Sequence, residues 1–151
     1  PRLAGRTSRR VLHLIKLSVG PKDVAQLARI QALRAAAHPP LRHQTRMQPK
    51  RRDELLAGGS IYWVVAGFVQ VRQRILEIVE DRWDDDTACC GLVLHPELVP
   101  VEARATKAFQ GWRYLPAEDA PPDVVPGQEA ARGLDALPPK LRAALREARL
   151  I

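Results

Sequence analysis

The chain has 151 residues, 46% hydrophobic and 27% charged, with a net charge of +7. That is the size and balance of one folded domain, which excludes a wholly disordered chain, and such a domain needs no disulfide or metal to hold it. The cationic excess favours anionic partners, and no run approaches the ~20 apolar residues of a membrane span.

Residues 1–10 are basic and lack an apolar stretch followed by a cleavage site, so they read as a flexible basic arm rather than a secretion signal. The run Val11 to Val19 is rich in β-branched and aliphatic residues and predicts a strand, punctuated by Gly20-Pro21. Val24, Leu27, Ala28, Ile30 and Leu33 then form an imperfect helical stripe, predicting a helix over Lys22–Ala37 with Pro21 in its first turn. His38-Pro39-Pro40 ends it, because a residue before proline is steered out of the α region.

Leu41 to Arg52 predicts a loop dense in cations: Arg42, Arg46, Lys50, Arg51 and Arg52, with His43. Asp53 to Ala57 fits one helical turn, stopped by Gly58-Gly59. Ile61 to Ala66, carrying Tyr62 and Trp63, predicts a second strand, and Gly67 a tight turn into a third over Phe68–Val79. In that third strand Val69, Val71, Ile75 and Val79 alternate onto one face with Gln73 as the exception. Gln70, Arg72 and Arg74 share the other face with Leu76 and Ile78, unless a bulge re-aims part of the strand.

The acidic run Asp81 to Thr87 suits a hairpin loop and Ala88 to His95 its returning strand; Val99 to Ala105 reads as an edge strand because of Pro100. Phe109 to Leu115 reads as an aromatic-rich strand or closing turn. From Pro116 the chain turns proline- and acid-rich, a linker composition, and Leu141, Ala144, Leu145 and Ala148 mark a helix at the end. The expected organisation is a basic arm at 1–10, one domain at 11–115, a linker at 116–136 and a C-terminal helix at 137–151.

The densest chemistry lies between Thr45 and Arg74. Arginine forks phosphate oxygens and aromatic faces stack on unpaired bases, so cations beside aromatics suit nucleic acid. Tyr62 and Trp63 also read as core residues, one on each strand face. Arg72 and Arg74, aligned on one face, need a phosphate or an internal carboxylate such as Asp53, Glu54 or Glu77. Trp112 and Arg113 offer stacking and pairing, and equally a core closure.

The catalytic inventory is thin. His13, His38, His43 and His95 are scattered without metal-ligand spacing, and there is no Walker loop or nucleophile elbow. Gly58-Gly59-Ser60 looks like a fragment of a phosphate-cradling loop, a pattern also common in turns. Adjacent Cys89 and Cys90 read as small apolar side chains of a cytoplasmic protein, and Asp84-Asp85-Asp86 as a solvated loop.

Three motifs carry a resemblance: Thr45-Arg46-Met47 with Pro49-Lys50-Arg51, Asp53-Glu54-Leu55-Leu56 and Gly58-Gly59-Ser60-Ile61-Tyr62-Trp63-Val64; Val71-Arg72-Gln73-Arg74-Ile75-Leu76; and Phe109-Gln110-Gly111-Trp112-Arg113-Tyr114-Leu115. Together, over roughly Leu12 to Leu115, they resemble a domain-of-unknown-function family of short alphaproteobacterial proteins, which brings no assigned activity. The chain departs from the family pattern at Ala66, where a lysine is expected, in the hairpin loop, and from His95 to Thr106. A fold-level likeness is to the PUA and ASCH-like barrels, many of which bind RNA or modified bases.

The expectations are therefore an α+β fold: a small mixed or barrel-like (PUA-like) β-sheet with an N-terminal strand–helix unit and a C-terminal helix. The expected function is nucleic-acid binding, RNA rather than DNA, with Arg46, Lys50, Arg51, Arg72, Arg74, Trp112 and Arg113 as the anion-binding set. The alternatives are an enzyme acting on a nucleotide or other anionic small molecule, and a protein-interaction adaptor using the C-terminal helix. No cofactor, metal or membrane partner is expected.

Overall fold

The computed structural model describes residues 11–124. The arm at 1–10 and the helix expected at 137–151 lie outside the described residues.

Strand β1 (Leu12–Leu17) buries Leu12 and Leu14, as its alternation predicts. Helix α1 (Val24–Ala37) starts where Asp23 caps it, its carboxylate accepting the Gln26 N–H at 2.8 Å. Pro21 therefore precedes the helix instead of sitting in its first turn. The His38 N–H closes the last turn on the Arg34 carbonyl, and the chain leaves through a cis Pro39–Pro40 bond.

The cationic stretch expected as one loop contains a strand, β2 (Arg42–Thr45), paired antiparallel with β5 (Ala88–Leu94). Its polar sequence RHQT gave no apolar alternation to read, because the pairing is at a sheet edge. Helix α2 (Arg52–Leu56) follows, burying Leu55. Strand β3 (Ser60–Val65) is buried along its whole length. It pairs parallel with β1 and antiparallel with β4 (Phe68–Arg82) through a two-residue turn in which Ala66 and Gly67 have φ of 53° and 84°. Both values are left-handed, matching the sense of turn that a twisted hairpin requires.

β4 runs for 15 residues and changes partners along its length. Its first half lies between β3 and β6 (Val99–Ala105), and its second half pairs with β5. The register slips between Ile75 and Glu77, so Ile75 and Ile78 are both buried while Leu76 is exposed. The bulge thus re-aims the strand, which is why simple alternation fails beyond Ile75.

The sheet runs β2-β5-β4-β3-β1-β7, with β6 also on β4 and β7 spanning Trp112–Pro116. It is mixed and not closed: among the described residues β2 and β7 do not pair, which corrects the barrel expectation. β2 is only four residues long, and the segment after it meets β7 through side chains rather than a ladder.

The principal core lies on the α1 face of the sheet, where Leu14, Val24, Leu27, Leu55, Ile61, Trp63, Val71, Ile75 and Leu92 pack together. Each such side chain contributes roughly 1.5–3 kcal/mol by leaving water. Gln73 and Gln31 are buried among them. On the opposite face Tyr62, Val64, Val69 and Val101 form a smaller cluster with Ile15, Leu17 and Leu115. The chain does not leave the domain at Pro116, as the linker boundary would have it. A short 3-10 helix (Ala117–Asp119) follows β7, and Asp123 bridges to Val101, because Asp123 has a charged partner on β4.

Gly59 is a packing residue. A Cβ there would lie 2.2 Å from the Leu12 carbonyl oxygen and 2.6 Å from that of Leu55. The glycine pair therefore lets α2 and β3 pass tightly beside β1, and no phosphate cradle is needed to explain it.

Candidate functional site

The sequence-predicted cations fall into separate places. Arg72 and Arg74 do share a face of β4, opposite Tyr62 and Ser60 in register. Arg72 is engaged internally: its Nε and Nη2 donate to both Asp123 carboxylate oxygens at 2.7 Å, and Nη1 donates to Ser60 Oγ at 3.1 Å. Its guanidinium holds the Asp123 carboxyl below the usual range. Beside them His13 stands edge-on to Tyr62 at 5.0 Å and accepts the Ser60 N–H on Nδ1. Burial, then the Arg72 charge, pushes its pKa down to about 4. Arg74 is exposed and makes no ion pair among the described residues.

Lys50, Arg51 and Trp112 do come together, on the other face and at its edge. The Tyr114 hydroxyl accepts the N–H groups of Lys50 and Arg51 at 2.9 and 3.1 Å, and the Trp112 indole N–H donates to the Met47 carbonyl at 2.9 Å. Arg51 lies over the Tyr114 ring at 5.5 Å and forks Glu54 through two hydrogen bonds. These contacts fasten the basic loop to β7. Arg113 points to the Tyr62 face and lies over Phe109 at 4.6 Å.

Arg46 follows β2 and lines a hollow of about 300 Å³ with Glu80, Arg82 and Cys89. Thr45, just before it, aligns through Cys90 with Glu80, eight β4 residues from Arg72, so Arg46 lies roughly 25–30 Å away at strand spacing. No anion of ordinary size spans Arg46, Arg72 and Arg74. Nor do Arg72, Arg74, Tyr62, Trp112 and Glu54 converge, since Trp112 and Glu54 belong to the opposite side.

The structure builds a different site between α1, the end of β1 and β2. A cleft of about 310 Å³ is floored by Trp63, Leu27, Leu41 and Leu94 and rimmed by Lys16, Arg34 and Arg42. Lys16 sits directly between Trp63 and Trp112 in register, so β1 delivers its amine to the helix face. Burial pulls its pKa below the ordinary value. Arg34 comes from the last turn of α1. Arg42 is paired with Asp81 at 2.7 Å, whereas Lys16 and Arg34 make no ion pair among the described residues.

His43 is the wall of this cleft. Its ring stands edge-on to Trp63 at 5.2 Å, and its Nε2 is buried without a hydrogen-bond partner among the described residues. Burial, then the charges of Lys16 and Arg34, pushes its pKa down to about 4. At neutral pH it is an uncharged imidazole surrounded by cations, able to donate or accept one hydrogen bond. The cleft thus offers an apolar aromatic floor, a neutral hydrogen-bonding edge and uncompensated positive charge. These are the complements of an apolar ring carrying an anionic group.

A second hollow of about 390 Å³ adjoins it, sharing Arg34, Arg42 and His43 and adding His38, Arg82 and Trp83. Sequence reading noticed Arg42 and His43 only as loop members and missed Lys16, Arg34 and Trp83. The one available signal was Lys16, which with His13 interrupts the apolar run of β1. Among the described residues no group of three or more His, Cys, Asp or Glu could hold a metal ion, and no helix is long and apolar enough to cross a membrane.

No curated protein and no solved structure matches the chain significantly. A family model described as a protein of unknown function, DUF1489, matches residues 14–151, nearly the whole sequence, and the chain therefore belongs to the DUF1489 family.

Proposed function

We propose that this chain is a nucleic-acid-binding module, for RNA rather than DNA, that takes a nucleotide into the cleft between α1 and β2. One observation carries the reading: Lys16 and Arg34 lie without counter-charges among the described residues around an aromatic-floored cleft of about 310 Å³. Small-molecule sites begin at roughly 300 Å³, so one nucleotide is the scale of ligand that fits. An imidazole held neutral beside two cations suits a base edge better than a second phosphate. What supports RNA is a likeness of frame. A basic segment and short helix precede a glycine turn and strands in the order of the PUA and ASCH-like barrels, although the sheet here is open; the function itself rests on the cleft.

The test is equilibrium binding of a fluorescent single-stranded RNA to the purified chain across a salt series. Each phosphate contact contributes about −0.7 to the slope of log K against log salt for single strands. Lys16→Gln and Arg34→Gln are each expected to weaken binding and flatten that slope by about one contact. Salt-insensitive binding, or cleft variants that bind like the wild type, would overturn the proposal.

A further inference from the structure

We infer that the ligand is a single strand of at least two nucleotides, with one unit in the cleft and its neighbour stacked on Trp83. This rests on the nucleotide reading of the cleft and extends it. The two hollows adjoin, Arg34, Arg42 and His43 lining both. A phosphate at this shared boundary would lie beside the Arg34 guanidinium, Arg42 being already held by Asp81, and a chain leaving the cleft there reaches the second hollow.

That second hollow has the composition of a stacking platform. Trp83 is 37% exposed despite its large aromatic ring, and His38, Arg82 and Asp84 line the hollow with it, Arg82 being paired with Asp86. The ring is presented by a rigid element: the Trp83 N–H donates to the Thr87 carbonyl at 2.9 Å and its carbonyl accepts the Asp86 N–H at 2.8 Å. Asp85 tightens the same turn by accepting both the N–H and the hydroxyl of Thr87. An exposed tryptophan held in a hairpin turn loses little entropy when a base stacks on it. A duplex, whose bases are already stacked, has no face to offer Trp83.

The experiment compares adenosine and uridine 5′-monophosphates with 5′-phosphorylated tetranucleotides of A and of U, and with a duplex of the two strands lengthened until it is stable. The full chain and its Trp83→Ala and Trp83→Phe variants are titrated, with circular dichroism confirming the fold. The tetranucleotides are expected to bind at least tenfold more tightly than the monophosphates. Trp83→Ala should remove that increment, a roughly ten- to hundredfold loss, leave monophosphate binding unchanged, and be largely rescued by Trp83→Phe. Equal affinity for monophosphate and tetranucleotide, or a duplex bound as tightly as the single strands, overturns this inference while the cleft reading stands. If neither monophosphates nor tetranucleotides bind, the cleft reading falls as well.

Discussion

Gln31 on α1 and Gln73 on β4 exchange two amide hydrogen bonds, 2.9 and 2.8 Å long, and the Trp63 indole N–H donates to the same Gln73 oxygen at 3.0 Å. This buried triad joins the helix to the sheet beneath the cleft floor. It explains why Gln73 interrupts an otherwise apolar strand face: the polar atoms are paired, so their burial carries little penalty. It also ties the position of α1, and therefore of Arg34, to that of Trp63.

Removing one member strands the others. Gln73→Ala should cost about 2–4 kcal/mol, combining a small cavity with unpaired groups on Gln31 and Trp63. Gln31→Leu with Gln73→Leu should cost less than the sum of the single changes, since no amide is then left unsatisfied, although the Trp63 indole N–H loses its acceptor. Urea denaturation of the four proteins measures the coupling; strict additivity would show that the triad is not a unit.

At Gly59 an alanine meets two backbone carbonyls, which are not flexible side chains that can swing away. Gly59→Ala is expected to destabilise by more than about 3 kcal/mol or to prevent folding. The contrasting change is Ala66→Asn in the β3–β4 turn. Alanine at a φ of 53° is strained, and Asn-Gly is the sequence this turn prefers, so stability should rise by about 0.5–1 kcal/mol. Thermal unfolding of both variants checks the pair.

Much of the fold was legible because local signals agree with it. Gly20-Pro21, His38-Pro39-Pro40, Gly58-Gly59 and Gly67 do mark boundaries, although Ala66 joins the turn and Asp81 and Arg82 of the expected hairpin loop belong to β4, leaving Trp83–Thr87 as the loop. β2 was not legible, since an edge strand of sequence RHQT carries no apolar period. The shift at Ile75 was foreseeable only as a possibility of bulging. The cleft was least visible of all: Lys16, Arg34 and His43 come from three elements, and only the crossover from β1 through α1 to β2 brings them together. Clustering in sequence pointed instead to Lys50 and Arg51, whose N–H groups serve to hold the loop to Tyr114.

The neutral histidines give a pH signature. His43 has a folded pKa of about 4, below its ordinary 6.5, so the unfolded chain binds the proton more readily. Its contribution to stability is complete above about pH 6.5 and is lost as pH falls through 4, by on the order of 3 kcal/mol. His13 acts in the same direction and window but less, being closer to solvent. The Asp81 and Asp123 carboxyls, held low by their hydrogen bonds and cations, act only below their ordinary 3.8. His43→Phe keeps an aromatic ring against Trp63 and should flatten the dependence between pH 4 and 6.5. An unchanged pH profile in denaturant titrations would show that His43 protonates as freely as in water.

Arg72 separates architecture from binding. It is the more sheltered partner of its ion pair, with 25% of the side chain exposed against 46% for Asp123, and the fork it makes fastens residues 117–124 over the Tyr62 face. Solvent screening on the Asp123 side limits the pair to about 1 kcal/mol. Arg72→Gln and Asp123→Asn should each lower stability by about that amount, and the double variant should cost little more than either alone. If the cleft is the RNA site, neither change will alter the salt slope of binding, because Arg72 already has its anion. A slope flattened by Arg72→Gln as much as by Arg34→Gln would instead place a phosphate on the Tyr62 face and move the interface to the other side of the sheet.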